Sequence, residues 1–134
     1  MKKILFVTVL IMTGLALGCS HNMQRFGSVI GVKEEALEKY RKMHAEPWPE
    51  VNAQLKESNI QNYSIYLTQF PDGNYYLFGY FEYIGKDFDA DMKKVADNPK
   101  VKEWWSHTDP MQLPLSNKSE NEFWKNMQQV YHLD

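Results

Sequence analysis

Between Arg25 and the C-terminus the apolar residues change their spacing from every second residue to about every 3.6 residues and back, twice, and few folds accept that order. Arg25 to Val32 alternates, with Phe26, Ser28, Ile30 and Val32 on one face and Val29 flanked by glycines on the other, which predicts a strand. From Lys33 the period lengthens. Ala36, Leu37, Tyr40 and His44 fall on one side of a helix, with Glu34, Glu35, Glu38, Lys39, Arg41 and Lys42 mostly opposite. Pro47 and Pro49 interrupt that helix around Trp48, and Val51 and Leu55 carry a second helical segment to Ser58 and Asn59. Asn62 to Gln69 alternates again, Tyr63, Ile65 and Leu67 against Asn62, Ser64, Tyr66 and Thr68. The turn signal Pro71-Asp72-Gly73-Asn74 then leads into Tyr75 to Tyr83, so the two strands form a hairpin. Asp87 to Ala96 reads as helix, and Pro99 opens a further helical turn with Val101, Trp104 and Trp105. The polar, proline-containing stretch from Asp109 to Asn121 reads as a loop, Phe123 to Met127 as a helical turn and Gln128 to Leu133 as a last strand through Val130 and Tyr131. Strand, helix, strand, strand, helix, strand is the split βαβ order of an α+β, ferredoxin-like βαββαβ sandwich.

Everything before Arg25 has a different character. Lys2 and Lys3 precede a charge-free apolar run from Ile4 to Gly18, too short for an ordinary membrane span and typical of an export signal. It ends in Ala16-Leu17-Gly18 before Cys19, the only cysteine, and resembles the lipobox of bacterial lipoproteins. That resemblance implies cleavage before Cys19, a lipid on its thiol and new N-terminus, and a protein exported and held on a membrane, facing the periplasm or the cell surface. The alternative, a plain buried thiol, fits poorly with a position outside any core stripe. The expected organisation is a signal peptide over residues 1–18, a tether over 19–24 and one domain over 25–134. Removing the signal takes the formal charge from −2 to −4, so no basic field remains to attract nucleic acid. A single cysteine permits neither an internal disulfide nor a cysteine-based zinc site.

At this length the core is modest, and the hairpin's second strand is apolar on both faces: Tyr75, Leu77, Phe81 and Tyr83 on one, Tyr76, Phe78 and Tyr80 on the other. An open sandwich would leave the second face to water. The sequence therefore predicts a homodimer closed sheet on sheet.

Several patterns invite a chemical reading and fail it. Asp87, Asp89 and Asp91 imitate the start of a calcium loop, but Met92 and Asn98 stand where that loop needs glycine and glutamate, so they read as helix-start acids. His21, His44, His107 and His132 have no paired ligand spacing, so no metal site is expected. Gly79 and Gly85 make no phosphate loop, and no serine sits in a nucleophile elbow. No cofactor motif is present. Tyr40 and His44, one helical turn apart, admit two readings: a buried histidine satisfied by a carbonyl beside a core tyrosine, or a general acid/base with a phenol beside it. Trp48 could add an aromatic wall next to them, with Glu50 either joining that cluster or a solvated first-turn acid. Trp104 and Trp105 point about 100° apart on a helix, so they serve either core and interface or core and a sugar-stacking wall.

Taken together, Tyr40-Arg41-Lys42-Met43-His44, Trp48-Pro49-Glu50, Asn62-Tyr63-Ser64-Ile65-Tyr66-Leu67, Trp104-Trp105 and Gln129-Val130-Tyr131-His132-Leu133 resemble the L-rhamnose mutarotase family across nearly the whole domain. The resemblance implies a dimeric α/β barrel, no cofactor, and interconversion of the α and β anomers of a 6-deoxy monosaccharide. It implies His44 as general acid/base with Tyr40 one turn before it. It further implies Trp104 and Trp105 lining the sugar pocket, with Trp48 and Tyr66 as further substrate contacts. Ala45-Glu46-Pro47 departs from the Asn-Pro pair often found after the histidine, which leaves L-fucose open beside L-rhamnose. Two other classes compete: a non-catalytic sugar-binding lipoprotein with the same pocket, and, on fold analogy alone, a cofactor-free oxygenase or haem-degrading protein.

Overall fold

The computed structural model describes residues 23–133; the signal, Cys19 and most of the expected tether lie outside them. The described chain is an α+β sandwich of the ferredoxin-like kind, one antiparallel sheet with helices on one face. Its elements are β1 (Gln24–Val32), α1 (Leu37–Ala45), α2 (Pro49–Glu57), β2 (Ile60–Gln69), β3 (Tyr75–Tyr83), α3 (Phe88–Asp97), α4 (Pro99–Thr108), β4 (Gln112–Leu113) and β5 (Lys125–Met127). Short 3₁₀ turns precede α1 and β4. The sheet order is β2-β3-β1-β4, with β5 also on β1.

Both helical regions break where proline demands it. Pro49 opens α2 after an extended Trp48, and Pro99 opens α4 after an extended Asn98, whose side chain accepts from the backbone N–H groups of Lys100 and Val101. The hairpin turn is closed by Phe70 N–H donating to the Asn74 carbonyl and by the Asp72 carboxylate accepting from Asn74 N–H. Gly73, at φ 83°, takes the left-handed conformation there.

The chain's last third departs from the expectation. The expected loop from Asp109 to Asn121 contains β4, the expected helical turn over Phe123–Met127 is β5, and Gln128 to Leu133 forms no regular element. The fourth position of the sheet is thus filled in two pieces, both antiparallel to β1. The glycines of β1 explain where they dock. Gly31 lies opposite Leu113, and a Cβ there would stand 2.9 Å from the Leu113 carbonyl oxygen. Gly27 lies opposite Met127, whose Cε would be 3.2 Å from a Cβ at that position.

The core lies between the sheet and the helices. One part gathers Ile30, Val32, Leu37, Tyr40, Leu77 and Met111, and a second gathers Val51, Val95, Val101 and Trp104. The helix-start acids have distinct fates. Asp87 caps α3 by accepting from Ala90 N–H, whereas Asp91 is buried and accepts from the Tyr83 hydroxyl at 2.8 Å, the Asn59 amide at 2.7 Å and Lys94 at 2.6 Å. Lys94 first, then the two neutral donors, hold its carboxyl down to about 2. Asp91 therefore pins α3 to the β2–β3 layer.

Candidate active site

Tyr40 and His44 sit one turn apart near the end of α1, on the side that faces the sheet. Their rings stack at 4.0 Å between centroids, and His44 Nδ1–H donates to the Tyr40 carbonyl at 2.9 Å. Because a carbonyl only accepts, this bond fixes the tautomer and leaves Nε2 as the proton acceptor. Burial lowers the imidazole's pKa below its ordinary 6.5, outweighing the opposite pull of the carbonyl it is bonded to. His44 is accordingly neutral at pH 7. The Tyr40 ring is buried, and its hydroxyl, cut off from water, has no hydrogen-bond partner among the described residues. Burial, and then the neighbouring Tyr63, push its phenol well above the ordinary tyrosine range, so it stays protonated.

Both side chains line a cavity of about 310 Å³ whose other walls include Tyr63, Ile65, Trp104, Trp105, Asp109, Gln112 and Trp124. That volume is at the small end of ligand sites, which run from about 300 to 1,000 Å³. A second space of about 560 Å³, with an apolar lining of Val51, Leu55, Ile60, Met92 and Val95, shares His44, Tyr63, Ile65, Trp104 and Trp105 with it.

Two adjacent tryptophans divide the work as their helical offset requires. Trp104 is 7% exposed and packs edge-on against His44, centroids 5.3 Å apart, while Trp105 is 39% exposed and reaches the same cavity from the surface. Trp48 lines neither space. It stands behind Trp104, edge-on at 5.3 Å, with Lys100 over its ring, so it supports the wall rather than forming it.

Tyr66 stands apart from the cavity. It pairs with Phe78 on the sheet face turned away from the helices and is 65% exposed, so it cannot reach the cavity within its own chain. The tyrosine that does is Tyr63. A bulge between Gln61 and Ser64 sets Asn62, at φ 50°, and Tyr63 opposite Phe81. Tyr63, 47% exposed, meets the Phe81 ring at 5.5 Å and shares the cavity wall with Ile65, and the partial desolvation of its phenol there raises its pKa. The alternation of that strand already grouped Tyr63 with Ile65 and Leu67.

Sequence reading also passed over Asp109, Gln112 and Trp124. Asp109 follows Trp105 by one helical turn, a spacing that could have flagged it. Trp124 lies over Gly79, where a Cβ would stand 3.3 Å from its ring, and its indole N–H donates to Gln112 Oε1 at 2.9 Å. Among the described residues no three His, Cys, Asp or Glu side chains group as a metal ion would need.

An imidazole with a free basic nitrogen, protonated phenols and aromatic walls around a monosaccharide-sized space suit acid/base work on a sugar. Comparison with known proteins agrees. Residues 25–133 match the family model described as L-rhamnose mutarotase. An L-rhamnose mutarotase of Lactiplantibacillus plantarum is 32% identical over 84% of this chain and 100% of its own length. One of Flavobacterium johnsoniae is 30% identical over 84% of this chain and 98% of its own. The crystal structure of an L-rhamnose mutarotase from Formosa agariphila shares the fold, with a TM-score of 0.62 at 21% identity over 83% of this chain and 99% of that one. By the family model over residues 25–133 and these relatives, the chain belongs to the L-rhamnose mutarotase family.

Proposed function

We propose that this protein is an isomerase that interconverts the α and β anomers of L-rhamnose by opening and reclosing the sugar ring. The observation that carries the reading is the neutral His44, its Nδ1–H committed to the Tyr40 carbonyl and its Nε2 available, in the wall of a cavity lined by aromatic rings. Nε2 takes the proton of the anomeric hydroxyl as the bond between C1 and the ring oxygen breaks. The ring oxygen receives a proton from a phenol, Tyr40 or Tyr63, both held in the protonated form. The freed aldehyde rotates about C1–C2, and reclosure returns each proton to its donor, so nothing is consumed. Trp104 and Trp105 line the cavity and supply its aromatic contact with the apolar side of the sugar. Exchange between anomers, followed by NMR with purified protein, tests the reading.

Assembly as a homodimer is part of this proposal. The sheet face away from the helices carries Val29, Tyr66, Tyr76, Phe78, Tyr80, Leu113 and Met127, with Tyr66 65%, Leu113 47% and Met127 41% exposed. Such a face is expensive to leave in water and fits a second copy of itself. Light scattering after size exclusion should give twice the chain mass at micromolar concentration, and Tyr66→Glu should shift the protein toward monomer; a wild-type monomer contradicts this part.

A lipid anchor at Cys19 is proposed from the sequence alone, from Lys2 and Lys3, the apolar run and Ala16-Leu17-Gly18-Cys19; the family match begins only at residue 25. Such a protein would equilibrate anomers outside the cytoplasm, before uptake. Expression with labelled palmitate should label the wild type and leave Cys19→Ser unlabelled; an unlabelled wild type that keeps residues 1–18 contradicts the anchor.

A further inference from the structure

The segment after α4 carries two polar side chains into the cavity for which ring opening has no use. Asp109 closes α4, its backbone N–H donating to the Trp105 carbonyl, and a single 3₁₀ turn follows in which Gln112 N–H donates back to the Asp109 carbonyl. Lys33 N–H holds the turn to the end of β1 by donating to the Met111 carbonyl at 2.9 Å, and Met111 is buried beneath it. The backbone is therefore fixed, and both side chains line the space that holds His44 and Tyr40.

Their hydrogen-bonding capacity is unspent on the sugar's side. Gln112 is 7% exposed, and its Oε1 accepts from the Trp124 indole at 2.9 Å. Since an indole N–H can only donate, the amide is locked with oxygen toward Trp124, which leaves Nε2, with two donors, for the cavity. The Asp109 carboxylate, half-buried, accepts no hydrogen bond and pairs with no cation among the described residues; burial raises its pKa. A carboxylate acceptor and an amide donor three residues apart on a rigid turn match the donor and acceptor faces of neighbouring ring hydroxyls.

We propose that Asp109 and Gln112 bind adjacent hydroxyls among C2, C3 and C4 of the sugar and orient its ring so that the anomeric centre meets His44. Trp124 acts through Gln112 as a positioning residue. This inference rests on the proposed mutarotase reading and names the part of the site that reads the sugar. It also separates recognition from chemistry: His44 and the phenols move protons, while Asp109 and Gln112 hold the ring still.

The test measures L-rhamnose affinity by titration calorimetry and turnover by NMR exchange for the wild type, Asp109→Asn, Gln112→Met and Trp124→Phe, and repeats affinity with L-rhamnose analogues lacking one hydroxyl at C2, C3 or C4. Loss of a charge-assisted hydrogen bond should raise Kd and KM about tenfold or more in Asp109→Asn, with kcat within about threefold. Trp124→Phe should raise KM a few-fold through the released amide. The deoxy analogue that binds weakly to the wild type should bind Asp109→Asn or Gln112→Met no more weakly than L-rhamnose does, because the partner is already gone. Unchanged Kd and KM in Asp109→Asn and Gln112→Met, beside an active wild type, overturn this assignment alone. So do analogue penalties that simply add to those of the variants. A wild type that neither binds nor exchanges the sugar overturns the mutarotase reading, and this assignment with it. Should Asp109→Asn not fold, Gln112→Met and the analogue series on the wild type carry the same test.

Discussion

His44→Ala should lower the anomer exchange rate by about 10²- to 10⁴-fold, the usual contribution of a positioned general acid/base, while circular dichroism and the denaturation midpoint stay close to wild type. The imidazole lies at the cavity wall rather than in the deep core, so its removal enlarges an existing space and leaves the α1 backbone bonded as before. His44→Gln keeps the volume and one hydrogen-bonding end and should lose activity to a similar extent, which separates loss of proton transfer from loss of packing. The wild-type pH profile carries the same signature. Burial lowers the His44 pKa, so the protein should keep its kcat/KM as pH falls through 6.5 and lose it only below that value, as the imidazole takes up a proton and Nε2 stops being a base. A variant as active as the wild type would assign proton transfer to another group.

Trp104→Ala should cost about 3–5 kcal/mol, the range for removing a large buried aromatic side chain, out of a total stability that for a domain of this kind is about 5–15 kcal/mol. Trp104 fills the space between Val51, Val95 and Val101 and at the same time abuts His44 and Trp48. Its loss therefore opens the core of α2, α3 and α4 and removes the wall behind the base. Trp105→Ala, at an exposed neighbouring position, should change stability by no more than about 0.5 kcal/mol and act on KM instead. Urea denaturation of the two variants reads the difference directly. Equal destabilisation by both would mean that the division of the pair between core and cavity mouth is wrong.

What the sequence disclosed, and what it hid, follows from the range of the interactions involved. The hairpin, the two proline breaks and the Tyr40–His44 pair depend on residues within a few positions of one another, and period or turn chemistry displays them. The fourth sheet position does not. Strands of two and three residues have no period to read, and β4 and β5 exist because Gly31 and Gly27 on a distant strand let them approach. Val130 and Tyr131 have strand character but pair with no strand among the described residues, and they stay exposed outside any regular element. Tyr66 sits inside a motif shared with the family, but alternation puts it across the strand from Ile65, and in its own chain it stays on the face away from the cavity. The same alternation places Tyr63 beside Ile65, and the bulge at Asn62 turns Ile60 to that face as well. Asp109 and Gln112 were hidden in a polar stretch, since only the folded turn shows which polar side chains face inward.

One measurement bears on the central claim more directly than any other: the saturation-transfer rate between the α and β anomers of L-rhamnose and of L-fucose, recorded by NMR with wild-type protein and with His44→Ala at equal concentration. The account predicts exchange well above the buffer rate for L-rhamnose with the wild type, and a return to near the buffer rate with His44→Ala. Exchange at the buffer rate for both sugars with folded wild-type protein would contradict it and leave a sugar-binding protein without turnover.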